Sequence, residues 1–350
     1  MRLDEPSWWY GEADDPRRRV LAPVAALYGW AAERRYKRQR AYRSRLPVIC
    51  VGNFVAGGTG KTPLSLLISR LLHDRGGRPA FLSRGYGGHE TGPVWVEPVG
   101  GEPARRFGDE PLLLARSAPT MVARDRRAGV IAIETDPREF TAVIMDDGLQ
   151  NGAVTKDLTL ALVDGVRGLG NGEVIPAGPM RAPLDFQLGI VDVIVVRDPP
   201  AENGVHDALR RSFPGPVLAA KVQPQGSISW LPGKSLIAFA GIANPQRFYS
   251  LLESLGANVI DKHSFPDHHS FTAADAKRLV AAANAAGAEL ITTDKDFVRI
   301  SGNATFGELI AQTHTLPIEL TFEPRDADRL GSLLEAALSA PGRRHVPPIR

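Results

Sequence analysis

Polar and apolar positions change their spacing along this chain. Up to about residue 45 they come in blocks: Trp8-Trp9-Tyr10, then Arg17-Arg18-Arg19, then an apolar stretch at 20–32, then a basic run ending at Arg45. From Leu46 onward, short apolar runs alternate with amphipathic stretches, the pattern of an α/β fold built on a parallel sheet. Strands are expected at 48–51, 80–82, 142–145, 158–163, 191–196, 235–240 and 289–293. Between the first two, Leu64, Leu67, Ile68, Leu71 and Leu72 recur at helical spacing and Gly76-Gly77 supply the stop. A second helix is expected to start at Asn244-Pro245 and end at Gly256, and a third to run from Thr272 to about Ala286. Asp198-Pro199-Pro200 and Phe213-Pro214-Gly215-Pro216 interrupt the pattern. The expected organisation is therefore an arm at 1–45, a core at 46–205, a smaller C-terminal α/β lobe at 206–340 and a loose tail at 341–350.

Charge sharpens the picture of the arm. The net charge is only +3, yet residues 16–45 carry ten Lys/Arg against Glu33 alone, a local +9, so the other 320 residues sum to about −6. The thirteen apolar residues at 20–32 span roughly 20 Å as a helix, short of a hydrocarbon core of ~30 Å. They predict an interfacial helix rather than a crossing one, with Leu21, Val24, Leu27, Tyr28 and Trp30 facing lipid and the flanking arginines facing anionic headgroups. A helix packed on the body with a solvated basic face is the alternative. No nucleic-acid recognition module accompanies these charges, so no nucleic-acid partner is expected. A single cysteine, Cys50, excludes an internal disulfide or a cysteine metal cluster, and its place in an apolar run predicts a buried filler in a reducing compartment.

The strand at 48–51 runs into Gly52-Asn53-Phe54-Val55-Ala56-Gly57-Gly58-Thr59-Gly60-Lys61-Thr62-Pro63 and then a helix, which is the order of a phosphate-binding loop. Gly57, Gly58, Thr59 and Gly60 let backbone N–H groups wrap phosphate oxygens, Lys61 adds a point charge, and Thr62 can hold Mg²⁺. The usual pattern asks for glycine six residues before the lysine, where Val55 stands here; Gly57 and Gly58 are expected to supply positive φ instead. The strand at 142–145 ends in Asp146-Asp147-Gly148-Leu149-Gln150, and two carboxylates at a strand's C-terminal end call for a cation. Asp146 and Asp147 are the expected metal-side ligands. Phosphoryl transfer to a hydroxyl also needs a proton acceptor. Asp109, in Phe107-Gly108-Asp109-Glu110-Pro111, and His268, in Phe265-Pro266-Asp267-His268-His269, are the candidates. A helix N-cap is the alternative for Asp109; a zinc site or a hydrogen-bonded loop is the alternative for the histidines.

Taken with Ser83-Arg84-Gly85-Tyr86-Gly87 and the stretch Gly170-Asn171-Gly172 to Pro176-Ala177-Gly178-Pro179, these motifs resemble, in order, those of the tetraacyldisaccharide 4′-kinases, the lipid A 4′-kinases of Gram-negative outer-membrane biogenesis. The likeness runs from the arm to about Ile300. It implies a P-loop NTPase-like sheet flanked by helices, ATP and Mg²⁺, a disaccharide-lipid acceptor phosphorylated at its 4′-hydroxyl, and a monomer at the cytoplasmic face of the inner membrane. Carried over by position, Lys61 and Thr62 are the phosphate-loop pair, Asp109 resembles the catalytic base, His268 its supporting histidine, and Asp146 and Asp147 the metal-side carboxylates. After Pro-Ala-Gly-Pro the family often continues Leu-Arg-Glu, whereas this chain has Met180-Arg181-Ala182, and Glu173 is the nearest substitute. Two rival functions are a nucleotide-switch ATPase or GTPase serving a protein or metal-insertion partner, and a non-enzymatic membrane scaffold. Against the first, Ala56 stands where a signature lysine would, and Thr293-Asp294-Lys295-Asp296 lacks the asparagine of a guanine-reading motif.

Overall fold

The computed structural model describes residues 5–11, 15–97, 102–200 and 204–339; the expected tail at 341–350 lies outside the described residues. The strands are β1 (Val48–Asn53), β2 (Pro79–Ser83), β3 (Val94–Trp95), β4 (Thr120–Val122), β5 (Ala142–Asp146), β6 (Leu158–Asp164), β7 (Val193–Arg197) and β8 (Val217–Pro224), then β9 (Ser235–Ala240), β10 (Asn258–Ser264), β11 (Glu289–Thr292), β12 (Thr313–Thr315) and β13 (Ile318–Phe322). Nine form one sheet in the order β13-β8-β7-β6-β1-β5-β2-β4-β3, and four form a second in the order β10-β9-β11-β12. The large sheet is parallel except at its two edges, where β3 and β13 run antiparallel to their neighbours. The small sheet is parallel throughout.

This is the expected α/β architecture, and the reason lies in the runs themselves. Every residue of β1, β2, β5, β6 and β7 is buried, as a strand covered by helices on both faces must be. On one face, Leu64, Ile68 and Leu72 of the helix Lys61–Asp74 pack with Ile49, Val51 and Ile144. Leu330 and Leu334 of the last helix, Pro324–Leu338, join the same core.

The topology moves the expected lobe boundary. The chain passes residue 205 and adds β8 to the large sheet before it crosses over, then returns with β13 and the last helix. The inserted lobe is thus confined to the stretch between Pro224 and Ile318. The proline-glycine cluster at 213–216 is a tight turn leading into β8, beside β7, and not a crossing between lobes.

The arm folds as one helix, Pro16–Arg38, started by an Asp15 side chain that accepts the Arg17 N–H. It is packed and exposed at once. Ala25 and Gly29 are buried, and a Cβ on Gly29 would come 3.2 Å from Pro183, so the helix lies close to the body there. The Tyr36 ring meets Phe186 at 5.2 Å, and Arg18 pairs with Glu173 at 2.6 Å. Val20, Leu27 and Trp30 remain 76%, 64% and 56% exposed. Among the described residues no helix is long and apolar enough to cross a membrane.

Candidate active site

β1 delivers the phosphate loop at the C-terminal edge of the large sheet. Gly57 and Gly60 adopt positive φ, 90° and 87°, while Gly58 does not, contrary to the expectation for it. Gly58 instead lies close to the small lobe: a Cβ there would come 3.3 Å from the Ala243 Cβ, a tight approach. Val55 needs no left-handed backbone. It lies extended against Met180, its carbonyl accepts from Arg181 Nε at 3.0 Å, and Ala56 N–H donates to Pro179 O at 2.8 Å. The segment at 179–181 thus secures the loop entry where a glycine turn is usual. Asn53 Nδ2 donates to Thr59 Oγ1 at 3.1 Å, closing the loop onto its own strand. Lys61 opens the following helix and Thr62 sits on its first turn.

Beside the loop, β5 ends in the two carboxylates. Asp147 takes a left-handed φ of 51°, a strained conformation for a residue with a Cβ, which turns its carboxylate towards Lys61 Nζ at 3.6 Å and Arg181 Nη1 at 2.8 Å. Burial works against its charge, but Arg181 and Lys61 outweigh it and hold Asp147 well below the usual carboxylate range. Asp146 behaves oppositely. It is buried, accepts Ser65 Oγ at 2.9 Å, and is pushed up to about 6, first by burial and then by the charges of Asp147 and Glu110, against the pull of Lys61. Burial also lowers the nearby Arg126 guanidinium to about 10. Two carboxylates, one of them unstable as an anion without a cation, suit Mg²⁺. Among the described residues no group of three or more His, Cys, Asp or Glu side chains could hold a metal, and Mg²⁺ is usually held by one or two carboxylates plus phosphate oxygens.

The raised Asp146 carboxyl makes a stability prediction. The folded chain keeps this proton up to about pH 6, whereas an unfolded aspartate loses it near 4, so stability falls as pH rises between those values. Above that window the ionised form costs the metal-free fold on the order of 3 kcal/mol. Asp146→Asn is therefore expected to raise the melting temperature at pH 8 without divalent cation, to show a smaller gain near pH 4, and to be inactive. Thermal unfolding at both pH values checks this; a variant no more stable than the parent at pH 8 would contradict it.

Asp109 begins the helix Asp109–Ala115, with Gly108 as its N-cap, so its carboxylate is not spent on capping. It is buried and meets His268 Nδ1 at 3.2 Å through Oδ2. His268 sits on the loop after β10, with a left-handed φ of 56° and its ring 5.4 Å from that of Tyr86. His269 turns away: it stacks on Phe265 and bonds Asp275 at 3.1 Å. Of the two adjacent histidines, His268 is the one that reaches Asp109. Around this pair lie residues the sequence did not single out as site residues. Lys295 Nζ is 2.8 Å from Glu110 and 3.8 Å from Asp109, and Arg299 donates to Asp109 Oδ2 from Nε at 2.9 Å and Nη2 at 2.5 Å. These cations overcome burial and hold Asp109 far below the usual carboxylate range. Glu173, by contrast, spends its carboxylate on Arg18 of the arm and does not substitute for a glutamate at 182, where Ala182 is buried.

The site joins three parts of the fold: a phosphate loop from β1, paired carboxylates from β5, and an aspartate–histidine pair shared between the two lobes. A family model for tetraacyldisaccharide-1-P 4′-kinase matches residues 17–339. A tetraacyldisaccharide 4′-kinase from Methylobacterium nodulans is 44% identical over 340 residues, covering 96% of both chains. One from Paramagnetospirillum magneticum is 44% identical over 320 residues, covering 91% of this chain and 94% of its own. The crystal structure of LpxK from Aquifex aeolicus in complex with ATP superposes with a TM-score of 0.70 at 24% identity, over 92% of this chain and 99% of that one, and so shares the fold. With its motifs in order on this fold and the match spanning nearly the whole length, the chain belongs to the tetraacyldisaccharide-1-P 4′-kinase family.

Proposed function

We propose that this cleft transfers the γ-phosphate of ATP to the 4′-hydroxyl of a tetraacyldisaccharide 1-phosphate. The observation that carries the reading is that the family's motifs meet as working pairs: Lys61 of the phosphate loop lies 3.6 Å from Asp147 at the end of β5, and Asp109 lies 3.2 Å from His268. Backbone N–H groups of Gly57 to Thr62 wrap the phosphates and Lys61 supplies charge to the β,γ-phosphates. Thr62, Asp146 and Asp147 hold Mg²⁺, which neutralises phosphate charge when bound. Asp109 takes the hydroxyl proton as the oxygen–phosphorus bond forms and the bond to the β,γ-bridging oxygen breaks, releasing ADP. His268 steadies Asp109.

The arm is assigned to the anionic cytoplasmic face of the inner membrane, lying on it and not through it. The support is the row of exposed Val20, Val24, Leu27, Tyr28 and Trp30 on a helix bordered by arginines. Transfer of labelled phosphate from ATP to a lipid A disaccharide precursor tests the activity: product is expected, and ATP consumption without acceptor is expected to be negligible. Acceptor-independent turnover would favour a switch ATPase. In the same assay, Leu27→Glu with Trp30→Glu, both on the exposed face, is expected to abolish sedimentation with anionic vesicles and to depress activity on vesicle-borne acceptor more than on acceptor in detergent. Unchanged sedimentation would refute the membrane assignment.

A further inference from the structure

The inserted lobe contributes more to the Asp109 corner than a histidine. Arg299, on the helix Asp294–Ile300, is only 8% exposed and uses all three of its nitrogens. Nε and Nη2 close on Asp109 Oδ2, while Nη1 donates to Asp296 Oδ1 at 2.5 Å and to Gly241 O at 2.6 Å. Asp296 is itself fully buried and fixed, its Oδ2 accepting from Gly241 N at 3.0 Å and Thr293 Oγ1 at 2.7 Å. The guanidinium is therefore clamped from behind by the small lobe and points its fork at the large one.

Lys295, one turn earlier on the same helix, lies 3.3 Å from His268 Nε2. Arg299 Nη2 is likewise 3.3 Å from His268 Nδ1, the ring nitrogen that faces Asp109 Oδ2 at 3.2 Å, so the imidazole is held between the two cations. His268, Lys295 and Arg299 all approach that same oxygen. Oδ1 takes part in none of these contacts. A carboxylate turns easily about its last torsion, and two anchored donors on one oxygen remove that freedom.

We infer that Arg299 is a positioning residue for phosphoryl transfer: it holds Asp109 by Oδ2 so that Oδ1 is aimed at the acceptor hydroxyl, with His268 held beside it between Lys295 and Arg299. This rests on the assignment of Asp109 as proton acceptor. It also explains how a carboxylate crowded by cations can serve there. In a loose phosphoryl-transfer transition state the hydroxyl keeps its proton until late, so the acceptor must be ionised and aimed rather than strongly basic. Because the clamp belongs to the inserted lobe, docking of that lobe completes the catalytic geometry of the large one.

The test compares the full-length protein with Arg299→Gln, Arg299→Lys, Asp109→Asn and the double variant Asp109→Asn/Arg299→Gln in steady-state transfer. Arg299→Gln is expected to lower kcat by about 30-fold while KM for ATP stays within about twofold, the scale of effect produced by misaiming a reacting group. Arg299→Lys, which keeps the charge without the fork, is expected to recover to within about fivefold of the parent and serves as the test if Arg299→Gln fails to fold. Asp109 is faced by Arg299, Lys295 and His268, with Glu110 beside Lys295. Removing the first of these cations is expected to move the acid limb of the pH profile upward in Arg299→Gln and to leave it in place in Arg299→Lys. The double variant is expected to be no worse than Asp109→Asn. A kcat within about twofold of the parent in Arg299→Gln, with only a lower melting temperature, would reduce the clamp to a lobe-joining ion pair and overturn the inference, as would losses that multiply fully in the double variant. An Asp109→Asn protein with normal turnover would instead overturn the assignment of Asp109, whatever Arg299 does.

Discussion

Asp109→Ala is expected to lower kcat for acceptor phosphorylation by about 10²- to 10⁴-fold, the range for loss of a positioned acid–base group, with KM for ATP changed little. In the proposed reaction the loop at 57–62 holds the nucleotide, and Asp109 lies on a different element, the helix Asp109–Ala115. The alanine variant also leaves Arg299 buried without the carboxylate it forks around, and breaking a buried pair in this way costs about 3–5 kcal/mol. Asp109→Asn keeps the shape and removes only the proton-accepting charge, so it should fold better than the alanine variant and be about as inactive. His268→Ala is expected to lose less, because it steadies the carboxylate and leaves it in place. In the double variant the losses should not multiply, since His268 acts through the Asp109 carboxylate that it meets at Oδ2. Steady-state kinetics on the four proteins, with melting temperatures alongside, decides the matter. Turnover near that of the parent in Asp109→Asn would remove the proton acceptor from the proposed reaction.

Some of this was legible in the sequence because its physics is local. The central strands β1, β5, β6 and β7 are buried on both sides and so appear as uninterrupted apolar runs. Helix starts carry their own chemistry: Asn244 accepts from Arg247 N, and Thr272 forms a capping box with Asp275. What escaped was peripheral or short: β4 is buried between β2 and β3 but has only three residues. β10, β12 and β13 are edge strands, and β10 exposes Asp261 and Lys262, so no apolar run announces them. β8 is half-exposed beyond Ala220 and follows a proline-rich turn, which made it resemble a linker.

The site divides along the same line. The phosphate loop and the Asp146-Asp147 pair are contiguous motifs whose spacing states their chemistry. The clamp on Asp109 is not contiguous: Arg299 is 190 residues away in sequence and reaches it only because the inserted lobe folds back onto the helix Asp109–Ala115. One signal was present in Lys295-Asp296-Phe297-Val298-Arg299-Ile300. Four charges, Asp294 among them, share a short helix whose Val298 and Ile300 are buried, and charges in that setting need partners. Arg181 was similarly hidden, because its importance comes from the Asp147 carboxylate and the Val55 carbonyl, which it meets together only in the folded chain.

Lys61→Ala and Asp147→Asn are each expected to lower transfer by about 10² or more, since charge placed on the reacting phosphates supplies most of the acceleration in this chemistry. The two should nevertheless differ in kind. Lys61 is a cation on the first turn of a helix whose N-terminus already favours anions, so its removal withdraws charge from nucleotide and transition state together, and both KM for ATP and kcat should suffer. Asp147 is held ionised by Arg181 and Lys61 and stands in a strained backbone conformation. Asparagine also tolerates that conformation, so the loop should survive while the anion is lost. Its deficit should then appear as a weakened response to Mg²⁺, with turnover saturating at higher metal concentration and at a lower ceiling. Titrating Mg²⁺ at saturating ATP in both variants separates the two cases. An Asp147→Asn protein with the parent's Mg²⁺ dependence would move the metal away from β5, and a Lys61→Ala protein with near-normal turnover would sink the assignment of the phosphate loop itself.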